Sequence, residues 1–151
     1  MKIIKLATVA LSACFLFGGV ATSIEYQSPT IAQAAKKSSK INKELKQYLK
    51  ENQEYEKQGN NEFANYNTID SIVYKKDNLY VNVNGDFLNL SSAQRTTLLN
   101  KVQGTANTVL LDYDKIDASD YKKGSMLTIQ LGKNAIGHSK LSNYKTYKFY
   151  K

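Results

Sequence analysis

The stretch SNYKTYKFYK, residues 142–151, interleaves aromatic rings with lysines and holds no acid. A lysine is a mobile point charge that attracts phosphates and carboxylates. A tyrosine adds a flat apolar face and a hydroxyl, which suits a sugar ring or a base. Tyr144, Lys145, Lys148 and Tyr150 therefore have the chemistry to hold an anionic polymer, and Lys122, Lys123, Lys133 and Lys140 could widen the same patch. The competing reading is structural. Tyr147 and Phe149 would fill a core, while Lys145, Lys148 and Lys151 keep an edge strand from aggregating. Alternation along a strand then leaves Tyr144, Thr146, Lys148 and Tyr150 on the outer face.

Charge distribution directs attention to this end. The chain carries a formal net charge of +8. Residues 35–58 are mildly basic, residues 59–120 mildly acidic, and every charged residue from 121 to 151 is a lysine.

The remaining chemistry is sparse. His138, in AIGHSK, is the single histidine and the one side chain that ordinarily titrates near neutral pH. Ser139 is next to it, but neighbours on an extended chain point apart, so the pair is not a catalytic dyad. Asp112, Asp114, Asp117 and Asp120 crowd one connection. A calcium loop would need Gly at its sixth position and Glu at its twelfth, and Asp117 and Lys123 stand there. A solvated turn with helix-capping acids is the expectation. One histidine and one cysteine, Cys14, do not make a zinc site. The chain has no phosphate-binding glycine loop and no G-x-S-x-G elbow. The composition points to a non-enzymatic protein without a cofactor, with a hydrolase that uses His138 as the alternative.

The N-terminus carries an address. Lys2 and Lys5 precede an uncharged apolar run from Leu6 to Ser23. That is the layout of an export signal. Ala32 and Ala34, in SPTIAQAAKK, put small residues where a signal peptidase requires them, which predicts cleavage between Ala34 and Ala35. The long polar region before AQAA resembles the leaders of proteins exported by Gram-positive bacteria, lactobacilli in particular. The resemblance covers residues 1–37 and implies a secreted or surface-associated protein. Two alternatives stand beside cleavage. LSAC, Leu11 to Cys14, fits a lipoprotein site, although Phe15, Leu16 and Phe17 follow where such a chain turns polar. The apolar run could also stay uncut as an anchor. A membrane is a partner only in those two cases. Each outcome puts the body outside the cytoplasm, where nucleic acid is not the expected partner.

The elements that must position these residues follow from periodicity. Residues 36–58 are rich in Lys, Glu, Gln and Asn, with Ile41, Leu45, Tyr48 and Leu49 at helical spacing. This predicts an edge helix or a partly disordered spacer over residues 35–61. SIVYKKDNLYVNVNGD predicts two strands joined at KKDN. Ser91 and Gln94 form a capping box for a helix through about residue 110, with Leu98, Leu99, Val102, Ala106, Val109 and Leu110 on one face. SMLTIQLG predicts a third strand, GKNAIGHSKLSN a loop, and YKTYKFYK a fourth strand.

The expected architecture is an α+β domain over residues 62–151. It has a four-stranded, mainly antiparallel sheet in the order β-β-α-β-β, covered by one main helix. Residues 1–34 form the signal peptide. The expected function is adhesion to an anionic envelope polymer, teichoic acid or acidic polysaccharide, through the Lys- and Tyr-rich C-terminal region. The alternative is a secreted module that binds or inhibits another secreted or surface protein.

Overall fold

The computed structural model describes residues 30–150. Cys14 and Lys151 lie outside the described residues. So does the leader as far as residue 29. Ala34 and Ala35 fall in the opening turns of the first helix, α1 (Thr30–Lys57).

α1 is polar in composition, yet three apolar residues suffice to dock it. Ile41, Leu45 and Leu49 recur every four residues on one face and are almost completely buried. The segment expected as an edge helix or spacer is thus a 28-residue helix that contributes to the main core.

β1 (Ile69–Lys75) and β2 (Asn78–Val83) form the hairpin expected from the period-two pattern. Lys76 and Asp77 both take positive φ, at 50° and 58°. Two left-handed central residues give the type I′ geometry that matches strand twist. α2 (Ser92–Asp112) starts at Ser91 through a complete capping box. The Ser91 Oγ accepts from the Gln94 N–H, and the Gln94 Oε1 accepts from the Ser91 N–H at 2.9 Å. The predicted apolar stripe is its buried face, and the helix runs unbroken through Gly104.

After a short helix, α3 (Ala118–Lys123), come β3 (Leu127–Leu131), β4 (Asn134–Lys140) and β5 (Asn143–Phe149). Among the described residues the sheet has five strands in the order β1-β2-β3-β4-β5. The coarse class, α+β, is as expected. The details differ in two ways: there are five strands rather than four, and several helices rather than one main helix; the sheet is mainly antiparallel with one parallel pair.

The extra strand, β4, occupies the predicted loop. It hid because its fully buried positions, Gly137 and Ser139, are small, and because Ile136, which also packs against the core, falls at a register irregularity. A Cβ on Gly137 would come 2.7 Å from the Lys148 carbonyl oxygen and 3.1 Å from the Phe149 ring. Ser139 is fully buried, and its Oγ accepts the Leu127 N–H at 3.2 Å. Bulky neighbours on β3 and β5 fill the space that β4 leaves. The parallel pair is β2 with β3, which are linked through α2 and α3. A connection that long carries the chain back across the sheet and sets the next strand parallel.

The helices cover one face of the sheet. Leu79, Val81, Val83, Leu127, Ile129 and Tyr147 pack against Leu98, Leu99, Val102 and Leu45 in a single core. A buried amide ties the layers together. Gln103 donates to the carbonyls of Ser125 at 2.8 Å and Tyr144 at 3.0 Å, which fixes the approaches to β3 and β5 against α2. Among the described residues no helix is long and apolar enough to cross a membrane.

Three core tyrosines give the fold a base-sensitive limit. Burial raises the pKa of Tyr66, Tyr74 and Tyr147 above the ordinary value, and at Tyr74 a hydrogen bond to Asp77 adds to the effect. An unfolded tyrosine ionises near pH 10, at about its model-peptide value. Above that pH the unfolded chain loses protons that the folded chain retains, so stability falls as pH rises. Melting temperature should be flat up to about pH 10 and drop beyond it, with a shallower drop in Tyr147→Phe. A drop of the same steepness in Tyr147→Phe would remove Tyr147 from this account.

Candidate functional site

Among the described residues the main helices pack on one side of the sheet and leave the other face open. Register assembles a row across it. Val73 pairs with Tyr80, Tyr80 with Thr128, Thr128 with His138, and His138 with Lys148. A second row runs through Ser71, Asn82, Gln130 and Ala135. Neither row contains an acid. Lys75 continues the face beyond Val73, because alternate residues of a strand share a side.

Each end of the main row has its own geometry. His138 packs its ring against Tyr150, with centroids 5.6 Å apart. Its Nδ1 lies 2.8 Å from the Ser139 carbonyl oxygen. A proton on Nδ1 donates there and leaves Nε2 to face outward. Tyr150 is half exposed and Lys148 is exposed. At the other side, Val73, Lys75, Lys76, Tyr80, Asn82 and Gln130 line a shallow concavity of about 340 Å³. The Asn82 amide donates to the Ser71 hydroxyl at 2.7 Å, which holds it in place. Aromatic faces, amides and ammonium groups alternate along the sheet, the mixture that suits a charged sugar polymer.

No family model, curated protein or solved structure matches this chain. The site's chemistry has to be read from its own geometry.

The strand directions sort the predicted lysines. The β1–β2 turn, the start of β3, the end of β4 and the start of β5 all lie at one end of the sheet. Lys140 and Lys145 are there, and Lys122 and Lys123 close α3 just before β3. All four are exposed. Lys75 and Lys76 join them from the β1–β2 turn. From β2 to β5 is three strand spacings, roughly 14 Å. Lys133 does not share this end. It sits in the β3–β4 turn, at the opposite end of the sheet.

The aromatic residues divide as well. Tyr147 is buried, and its hydroxyl donates to Asn100 at 2.8 Å. Phe149 is half-buried, with the Arg95 guanidinium 5.4 Å from its ring centroid. Tyr144 is half-buried where β5 is irregular, beside Gly124 at the end of α3. The terminal stretch divides: Tyr147 packs the core, and Lys148 and Tyr150 lie on the open face.

Sequence reasoning missed Lys75, Lys76, Tyr80, Asn82 and Gln130 as members of this site. Alternation of Tyr80 and Asn82 with Leu79, Val81 and Val83 marked them as outward-facing. Their proximity to His138 and Lys148 depends on the parallel β2–β3 pairing, which local pattern does not encode.

The other singled-out groups have structural work. The Ser139 hydroxyl is buried on the core side, opposite the His138 ring. Asp117 caps α3 by accepting from the Ser119 and Asp120 N–H groups at 2.7 and 2.8 Å. Those bonds, the one from Asp120 foremost, hold its carboxyl below the ordinary pKa. Asp120 lies 3.9 Å from Lys123, and Asp114 3.6 Å from Lys37. Among the described residues, no three His, Cys, Asp or Glu side chains gather as metal ligands.

A second concavity, about 460 Å³, lies between α1 and the end of α2. Glu44 and Glu51 share its lining with Lys40, Lys43 and Tyr113. Its carboxylates oppose a polyanion, and Glu44 pushes the Tyr113 hydroxyl above its ordinary pKa.

Proposed function

We propose that this chain is an exported, non-enzymatic protein that holds an anionic envelope polymer against the open face of its sheet. The observation that carries this reading is the acid-free row Tyr80–Thr128–His138–Lys148, which leads from the Lys75 side of the sheet to Tyr150. Tyr80, His138 and Tyr150 offer ring faces to sugars. Asn82, Gln130 and Thr128 offer hydrogen bonds. Lys148 and Lys75, with Lys76, Lys122, Lys123, Lys140 and Lys145 at one end, supply the counter-charge. Teichoic acids and acidic polysaccharides combine these same features, repeating anions on a polyol or sugar chain.

Export rests on the leader: Lys2 and Lys5, the apolar run, and the small residues Ala32 and Ala34. Cleavage after Ala34 falls within helical residues of α1. A protease takes its substrate as an extended strand, so these turns must be open when the leader is removed. The core-forming part of α1 begins at Ile41, and cleavage leaves it intact.

Exposed charges are screened beyond roughly 8–10 Å at physiological ionic strength. Retention on purified Gram-positive cell walls should therefore fall steeply between about 20 mM and about 500 mM salt. It should be lost when teichoic acid and acidic polysaccharide are stripped from the walls. Retention indifferent to both treatments contradicts the proposal.

A further inference from the structure

The two edges of the sheet are treated differently. At β1 the first helix occupies the outward-facing backbone. The Tyr74 N–H donates to Asn42 Oδ1 at 2.7 Å, and Asn42 Nδ2 donates back to the Tyr74 carbonyl at 3.1 Å. One amide side chain thus takes the place of a paired strand residue. Further along, Gln53 Nε2 donates to the Ile69 carbonyl at 2.8 Å. Covering an edge with a helix is a common protection against unwanted strand pairing.

Among the described residues β5 is held in this way only at its start, where Gln103 of α2 donates to the Tyr144 carbonyl at 3.0 Å, and not beside Tyr147 and Phe149. The Tyr150 N–H donates inward to the Ile136 carbonyl at 2.9 Å. The Lys148 carbonyl also points at β4, close to Gly137. In an antiparallel ladder, inward and outward residues alternate. Tyr147 and Phe149 therefore present their N–H and C=O groups to the outside, and no described residue bonds to them there. Their side chains are held in the core, by the Asn100 bond and by packing against Phe87 and Ile129. The outward groups sit on a fixed, pre-ordered strand.

Charge decides what can pair with it. Lys145 and Lys148 lie on this strand, and Arg95 stands over Phe149 at its far end. No acid occurs from residue 121 onward. A second copy pairing antiparallel through β5 would set lysines against lysines, and like charges facing across strands are destabilising. An acidic strand would instead meet Lys145 and Lys148, with Arg95, whose guanidinium also donates to the Phe87 and Leu88 carbonyls, near Phe149.

We propose that the β5 edge is a docking site for an extended acidic segment of another protein, which adds as a sixth strand beside Tyr147 and Phe149. Main-chain hydrogen bonds to those two residues supply the register, and Lys145, Lys148 and Arg95 supply the selectivity.

Residue-resolved amide hydrogen exchange tests this on the folded protein, with a ten-residue peptide alternating Glu with Val or Thr as the probe. In the free protein the Tyr147 and Phe149 amides should exchange at least tenfold faster than those of Lys148 and Tyr150. Added peptide should slow the Tyr147 and Phe149 amides at least tenfold and leave Ile72 and Tyr74 unchanged. The same peptide with Lys in place of Glu should have no effect. No protection at millimolar acidic peptide overturns the proposal, as does binding that spares those two amides. Protection that grows with protein concentration alone identifies a second copy as the occupant and also overturns it. Teichoic acid fragments bound to the open face should leave both amides unchanged, so this result stands or falls separately from polymer binding.

Discussion

Replacing Leu45 with Ala should destabilise the protein by about 2–5 kcal/mol, the usual range for emptying a fully buried leucine site. Leu45 has no exposed surface, and it belongs to the same core as Val81, Leu99 and Ile129. Neighbouring Lys46 is exposed, and Lys46→Ala should change stability by less than about 0.5 kcal/mol. Urea unfolding of the two variants measures the contrast. A difference below about 1 kcal/mol would mean that residues 35–61 act as a spacer after all. The result matters beyond stability, because α1 also closes the β1 edge through Asn42 and Gln53. If α1 were detached, both edges of the sheet would be open, and β5 would lose its distinction.

The C-terminal strand shows why composition alone left two readings standing. SNYKTYKFYK contains a core-packing residue, Tyr147, and two open-face residues, Lys148 and Tyr150, in close succession. Alternation separated them correctly. What alternation could not supply was the company that each side keeps. Lys148 acquires His138 as its neighbour only because AIGHSK is a strand, and that strand was invisible. Its fully buried positions, Gly137 and Ser139, are small, and at Gly137 the Phe149 and Ile129 side chains take the space. A pattern method looks for large apolar residues at alternate positions, and here they belong to the adjacent strands.

Other elements were legible for definite local reasons. Ser91 and Gln94 satisfy each other's backbone donors, so the start of α2 is written in two residues. β2 alternates cleanly because one side meets helices and the other meets water, while β1 alternates only after a bulge between Ile69 and Ser71. The docking of α1 was harder to read. Its apolar stripe is narrow, and the same few residues would fit an edge helix; only the presence of a partner surface decides. The parallel β2–β3 pairing was the least legible feature. It depends on how α2 carries the chain across the sheet, and it alone brings the Tyr80 side of the sheet to the His138 side.

Lys133 shows the same lesson in reverse. In sequence it belongs to the lysine-rich final segment. In space it is turned away, because consecutive hairpin turns fall at opposite ends of a sheet. This separates two explanations of adhesion that net charge confuses. If the polymer responds only to overall basicity, every exposed lysine is equivalent. If it lies along the open face and its basic end, Lys140, Lys145 and Lys148 matter, while Lys50, Lys57 and Lys133 do not. Lys50 and Lys57 are exposed on α1, and the ion pair of Lys57 with Glu54 is a surface pair of small energetic weight. Two triple variants of equal net charge can therefore be compared directly.

The decisive measurement is retention of these variants on purified, teichoic-acid-bearing cell walls at low salt. A lysine near an anionic surface contributes about 1 kcal/mol, so Lys140→Gln, Lys145→Gln and Lys148→Gln together should weaken binding by about two orders of magnitude. The set Lys50→Gln, Lys57→Gln and Lys133→Gln should weaken it by less than about threefold, a change of under roughly 1 kcal/mol. Equal losses in the two sets, or no loss in either, would contradict polymer binding on the open face.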